Sequence, residues 1–267
     1  MPETDSHPPV RILPVIVVSQ FLCTSLWFAG NGVMEDLITA FALSDSALSS
    51  MTSAVQFGFI IGTLLFAILT IADRFPPSKV FFVSALLGAA FNLCVIFPQN
   101  SFFSLVAFRF LTGFCLAGIY PVGMKIAADY YQSGLGKSLS FLVGALVLGT
   151  AFPHFLKSTT VGAADFPWQY VLVITSALAV LGGAMIVLLV PNGPFRKASQ
   201  GLDLGAITRI FQSTDFRAAS VGYFGHMWEL YAFWAFVPLM LKIHVSLHEV
   251  PDLNLSFWSF MIIGLGS

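Results

Sequence analysis

The sequence predicts an all-α protein that crosses a membrane many times, and three observations carry that reading. Hydrophobic residues make up 57% of the chain and charged residues only 9%, against roughly 25% charged in soluble domains. Apolar runs of about 20 residues recur, the length that spans ~30 Å of hydrocarbon. Lysines and arginines gather in alternate connections between those runs. The net charge of −1 gives no electrostatic case for nucleic acid. The partner implied is the lipid bilayer, and 28 phenylalanines suit lipid-facing helix surfaces.

Seven full spans can be read in order. The first covers Ile12–Met34. The segment before it, Met1 to Pro9, carries Glu3 and Asp5 and lacks the basic start of a signal peptide; the run that follows is too long for one. The second span covers Ala47–Ala72 and the third Val80–Phe97. The fourth covers Phe102–Met124 and continues as helix to Tyr130, the fifth Ser138–Leu156, the sixth Trp168–Val190 and the seventh Ala218–Leu241. An eighth begins near Leu253 and has run about 15 residues at Ser267, short of the ~20 needed.

Connections are short except for 191–217, which opens Pro191-Asn192-Gly193-Pro194 and carries Arg196, Lys197, Arg209 and Arg217. The expected organisation is a six-helix unit over 1–190, a linker over 191–217, and over 218–267 the start of a second unit, the chain being a piece of a longer protein.

Basic residues set the orientation. With the N-terminus in the cytoplasm, the inner side holds Arg11, Arg74, Lys79, Lys125, Lys137, Arg196, Lys197, Arg209 and Arg217, and the outer side only Lys157 and Lys242. The opposite orientation inverts that bias.

Small residues recur in the spans, including Gly58 and Gly62, Gly113 and Gly118, Gly144 and Gly149, and Gly182 and Gly183. They allow close helix approach in lipid, where the hydrophobic effect cannot drive packing. Pro121, Pro153 and Pro238 fall inside spans and interrupt backbone hydrogen bonding there. Cys23, Cys94 and Cys115 lie far apart in apolar runs, without ligand spacing, and read as small buried side chains.

Two charges lie deep within spans. Arg109 sits inside Ser101–Pro121, where an unpaired guanidinium costs several kcal/mol. It either faces a watery pathway or bonds backbone carbonyls of a neighbouring helix, and one residue can do both. Glu229 lies near the middle of the seventh span, with His226 one turn earlier on the same face. A buried carboxylate there is a candidate proton carrier; the alternative is a Glu hydrogen-bonded to His226 or to a tryptophan. Arg109 is a candidate to bind an anion or to neutralise Glu229.

Polar groups also mark the first span, at Gln20 and Asn31. Trp27, Tyr120, Trp228, Tyr231 and Trp234 are candidates to line an amphipathic pocket; aromatics at the lipid interface are the other reading. Enzyme chemistry fails on spacing. His248-Glu249 lacks a second histidine, since Asp252 stands at the needed position behind Pro251. His226-x-x-Glu229 offers two metal ligands and no third, and no nucleophile or phosphate-loop motif is present. No metal and no cofactor are therefore expected.

Motifs in the same order and sidedness give a resemblance. Ala72-Asp73-Arg74-Phe75 between spans two and three resembles the inner-loop signature of major facilitator transporters, although Leu69, Pro76, Pro77 and Ser78 depart from its glycine and basic positions. Arg109-Phe110-Leu111-x-Gly113, then Gly118, Pro121 and Asp129, is similar to the fourth-helix signature. Trp168-Gln169-Tyr170 opens span six as that family's Trp-Arg-x pattern does. Gly144, Gly149 and Pro153 do not stand at the exporters' spacing. Ser25-Leu-Trp27-Phe28-Ala-Gly-Asn31 and Gly225-His226-Met-Trp228-Glu229-Leu-Tyr231 resemble bacterial permeases of the cyanate-permease type.

The resemblance implies a secondary transporter working by alternating access in a bacterial plasma membrane, with a small solute or small anion and H+ as partners; the alternative is a non-transporting membrane scaffold or receptor derived from a transporter fold. It implies a pathway formed by Arg109, Glu229, His226, Asn31, Gln20, Trp27, Tyr120 and Tyr231 near the midplane. A cytoplasmic gate is implied at Asp73, Arg74 and Asp129.

Overall fold

The computed structural model describes residues 9–44, 46–160, 167–196, 209–248 and 253–266. Among them every regular element is a helix. Six helices, counting a kinked Phe102–Ala128 as one, are long and apolar enough to cross a membrane; Ile12–Thr24 and Leu255–Leu265 are shorter apolar helices.

The first span is not one helix. Helix α1 (Ile12–Thr24) ends at Ser25, and after a run of turns α2 (Ala29–Gly32) and α3 (Met34–Ala40) continue the path. Hydropathy alone gave a continuous span, because no proline marks the break. The second span is α4 (Ala47–Ile68), which stops short of Ala72. Thr70 then takes a left-handed backbone, φ 49°, and its hydroxyl accepts a 3.0 Å bond from Arg74 Nε. This turn opens α5 (Ile71–Arg74). Helix α6 (Pro77–Cys94) starts on a proline at its first position, where no backbone donor is lost.

The fourth span is also interrupted: α7 (Phe102–Leu116) and α8 (Tyr120–Ala128) are separated at Ala117–Ile119, just before Pro121. Ser101 caps α7 reciprocally with Ser104. Helix α9 (Leu135–Thr160) carries Pro153 within it, and α10 (Gln169–Leu189) closes the first unit. The seventh span, α11 (Thr214–His248), runs well beyond the expected ends and contains Pro238. Helix α12 (Leu255–Leu265) is capped by Asn254.

In the packing, α1 lies between α9 and α10, α6 bridges α10 and α7, and α4 runs along α7. The last pair is the tightest crossing. A Cβ added to Gly58 would run into the Phe110 carbonyl oxygen, and one added to Gly113 would run into that of Val55. The two helices meet backbone to backbone, as small residues allow in lipid. Gly144 differs from this pattern, with open space beside it. Cys23 and Cys115 are buried and Cys94 is partly so, all as free thiols.

Gly113→Leu is expected to push α4 off α7. Overpacking of this kind costs about 1–3 kcal/mol or more. A thermal-unfolding measurement in detergent should show a clear fall in midpoint, and an unchanged midpoint would mean the crossing is not tight.

Candidate functional site

The break in the first span is the centre of the site. Ending a helix inside an apolar layer strands backbone carbonyls, each of which then needs a donor. Arg109 supplies them. Its side chain is 1% exposed. Nη1 donates to Leu26 O at 3.2 Å and, at 3.5 Å, to Asn92 Oδ1, and Nη2 donates to Trp27 O. Nε, against Gly30, has no hydrogen-bond partner among the described residues. One of the two readings of Arg109, bonds to backbone carbonyls of a neighbouring span, is thus present, and it is compatible with the other. The expected neutralisation of Glu229 is not present: no carboxylate lies within ion-pair distance of Arg109 among the described residues.

Asn92 is a site residue that sequence reasoning missed. It is fully buried on α6, and Nδ2 donates to Ser176 Oγ at 3.0 Å, Leu172 O at 3.2 Å and Thr175 Oγ1 at 3.3 Å. Arg109 is thereby tied to α6 and α10 as well as to the break. A lone amide within the largely apolar third span was the available signal.

The aromatic residues gather beside this network. Trp27 is fully buried, tilted on Phe59 at 4.6 Å and stacked on Tyr231 of α11 at 5.6 Å and 20°. Phe28 meets Trp234 edge-on at 6.2 Å. Tyr120 and Tyr231 both pack on the core that contains Trp27. Spans one and seven therefore touch through their aromatic motifs. Trp228 does not join them, being 81% exposed on another side of α11.

Gln20 is fully buried, its amide atoms without a hydrogen-bond partner among the described residues and its Oε1 against Gly123 of α8. Asn31 lies apart, its Nδ2 donating to Thr52 Oγ1 at 2.8 Å. Glu229 and His226 are exposed on α11, and among the described residues neither has a hydrogen-bond or ion-pair partner. The buried carboxylate expected at Glu229 is thus not found, nor its bond to His226 or to a tryptophan. The helix presents that face away from the six-helix bundle. His248 ends α11, while Glu249, Pro251 and Asp252 lie outside the described residues.

A second cluster occupies one end of the bundle. Lys125 pairs with Asp73 at 2.7 Å and approaches Asp129 at 3.7 Å. Arg196, just after α10, donates to the carbonyls of Asp73 (3.2 Å) and Phe75 (3.0 Å), and Phe195 N donates to Asp129 O at 3.1 Å. Burial pushes the Asp129 carboxyl above its ordinary range, against the pull of Lys125 and Arg196. Asp73 and Asp129 are brought together; among the described residues the Arg74 side chain bonds within its own turn, to Thr70. Lys125 and Arg196, counted above only as charges, hold this cluster. At the other end Asp36 pairs with Lys157 at 2.7 Å and Glu35 with Lys242 at 2.6 Å. The two lysines counted as outer thus lie at one end, and Lys125 and Arg196 of the inner set at the other. An apolar groove of about 640 Å³ runs between α4 and α7, and none of the expected site residues lines it.

The Major Facilitator Superfamily model matches residues 16–267. The niacin transporter NiaP of Acinetobacter baylyi is 32% identical over 59% of this chain and 40% of its own length. An uncharacterized transporter of Buchnera aphidicola is 28% identical over 64% of this chain and 40% of its own. The chain thus spans about two fifths of the length of these curated relatives. Among solved structures, a D-xylose-proton symporter superposes with a TM-score of 0.67 at 16% identity, covering 95% of this chain and 65% of that one. A bacterial homolog of the human lysosomal transporter Spinster, inward-facing and occupied, gives 0.62 at 16% identity over 96% and 71%. With an all-α bundle, repeated apolar spans and a family match across nearly its whole length, this chain belongs to the major facilitator superfamily, a family of multi-pass membrane transporters and not of enzymes.

Proposed function

We propose that the full protein is a secondary active transporter that carries a small solute across a bacterial plasma membrane by alternating access. The single observation that carries this reading is the broken first span, braced from one side by Arg109 and covered from the other by Tyr231 and Trp234 of span seven. Discontinuous helices near the midplane expose backbone polarity where a solute can bind. An aromatic contact between two spans, unlike a hydrogen-bonded one, can separate without stranding polar groups. In this reading 1–190 and 218–267 belong to two halves joined by the linker 191–217.

The relative named for niacin and the fold neighbour named for D-xylose and protons support a small organic solute, and the motifs in spans one and seven keep a small anion in view. Glu229 is assigned proton coupling, with His226 setting its proton affinity. It is the carboxylate deepest within a span, since Glu35, Asp36, Asp73 and Asp129 lie at span ends. Gln20, Asn31, Trp27, Tyr120, Tyr231 and Arg109 are assigned to the pathway. Asp73, Arg74 and Asp129, with Lys125 and Arg196, are assigned to the cytoplasmic gate.

The reading is tested by solute counterflow in proteoliposomes containing the full protein, which should exceed that of protein-free liposomes. Its sidedness has a separate test. Single cysteines at Asn100 and at Ser199, the latter outside the described residues, should label unequally with an impermeant thiol reagent. Asn100 is expected to label from outside intact cells and Ser199 only after permeabilisation; the reverse would invert the topology.

A further inference from the structure

We infer that Glu35 and Lys242 form a latch that holds the outer mouth of the pathway shut, while the neighbouring pair Asp36–Lys157 is a strut that stays made when the mouth opens. The inference rests on the transporter reading above, its sidedness included, and goes beyond it in naming the residues that set which side is closed.

The four charges stand on three helix tips, each set off from the rest of its path. Glu35 and Asp36 lie in the first turn of α3, beyond the break in the first span. Lys157 follows Pro153 by four residues in α9, and Lys242 follows Pro238 by four in α11. A proline inside a helix cannot donate to the carbonyl four residues back, and its ring crowds that carbonyl, so the outer turns are free to bend there. Gly32, just before α3, packs on Pro153: an added Cβ would stand 2.9 Å from the Cβ of the proline. Asp36 meets Lys157 at 2.7 Å and Glu35 meets Lys242 at 2.6 Å.

The two pairs differ in what they join. Helices α3 and α9 both belong to the first unit, and their pair is the more buried, with side chains 28% and 23% exposed. Lys242 comes from the second unit, and its pair with Glu35 is 58% and 69% exposed. Parting of the units therefore breaks Glu35–Lys242 and leaves Asp36–Lys157 whole.

Burial along α11 is one-sided in the same sense. From Thr214 to Glu229, about 24 Å at 1.5 Å per residue, its residues are exposed except for the half-buried Ser220 and Met227. Farther out Trp234, Ala235 and Val237 are buried, Tyr231 and Trp234 lie on Trp27 and Phe28, and Lys242 reaches Glu35. Asn254, which caps α12, adds a 3.3 Å bond from Nδ2 to Ser158 O, one residue beyond Lys157. The aromatic contact excludes water but parts without stranding polar groups. The exposed ion pair adds a bias of up to about five-fold toward closure, small enough for the mouth to reopen in every cycle. A fully buried pair would resist separation far more strongly.

The test reads the outer mouth by double electron–electron resonance on the full protein in nanodiscs. Spin labels go on cysteines at Thr39 of α3 and Ser246 of α11, both exposed, with Cys23, Cys94 and Cys115 replaced by alanine. The parental chain should show a short-distance majority and a long-distance minority. Lys242→Glu puts a third carboxylate beside Glu35 and Asp36 and should lower the short-to-long ratio at least about five-fold. Adding Glu35→Lys should restore it, a rescue that a merely structural role would not give. Lys157→Gln should lower the thermal midpoint and move the ratio less than about two-fold. Where Lys242→Glu does not fold, as judged by size-exclusion profile, 1 M KCl on the parental chain decides: screening at a Debye length of about 3 Å should shift the ratio toward the long distance. An unmoved ratio in folded Lys242→Glu, no rescue by Glu35→Lys, or, in the fallback, an unmoved parental ratio in salt overturns the inference. A shifted ratio without solute counterflow leaves the latch and removes the transporter reading; counterflow with an unmoved ratio does the reverse.

Discussion

Arg109→Ala is expected to destroy the fold before it reveals anything about substrate. The substitution strands the carbonyls of Leu26 and Trp27 inside the bundle and removes a donor from Asn92. Each stranded group costs about 1–3 kcal/mol, and the void left by the guanidinium adds to it. The break in the first span would then close into regular helix or collapse, and either outcome displaces Trp27 from Phe59 and Tyr231. Membrane-inserted protein should fall to a small fraction of the parental level, with early aggregation in detergent. Arg109→Lys keeps the charge but not the planar fork that reaches two carbonyls at once. It should insert, with a lowered thermal midpoint and weakened solute binding. An Ala variant that inserts normally and works at the parental rate would remove both roles from Arg109.

Glu229→Gln is expected to have the second large effect, and on function instead of folding. The side chain is exposed on α11 with no partner among the described residues, so its amide isostere should leave expression unchanged. A transporter coupled to protons needs a group that changes charge as the pathway switches sides. A carboxylate is neutral and tolerant of a dry state when protonated, and prefers water when ionised. The Gln variant should lose accumulation driven by an imposed pH gradient while retaining solute exchange without one. His226→Ala should shift the pH at which accumulation is fastest without stopping it. Gradient-driven accumulation at the parental level in the Gln variant would leave Glu229 out of the mechanism.

The architecture was legible because lipid enforces it. Run length and the exclusion of charge marked the spans, and the observed helices follow them except that the first and fourth are interrupted and the seventh is longer at both ends. Pro121 announced the interruption of span four. The break after Thr24 was not legible, since its cause lies in another helix: Arg109, more than eighty residues away, satisfies the carbonyls that the break frees. The same non-locality hid Asn92, whose partners all lie on other elements. Arg109 itself was found by its charge, while what it touches needed three dimensions. Glu229 and His226 were equally visible in sequence, yet hydropathy places a residue along a span and not around it, so the outward face of α11 could not be read. Lys125 and Arg196 looked like ordinary interfacial charges until Asp73 and Asp129 were placed beside them.

Solute counterflow tests the transporter reading most directly. Proteoliposomes containing the full protein, preloaded with excess unlabelled solute, are diluted into a trace of the same labelled solute, with nicotinate, inorganic phosphate and D-xylose tried in turn. At least one should enter transiently above its equilibrium level, because a carrier that alternates its access exchanges label inward before the preloaded pool runs down. Uptake of all of them at the rate of protein-free liposomes, by protein shown to be folded and inserted, would contradict secondary transport.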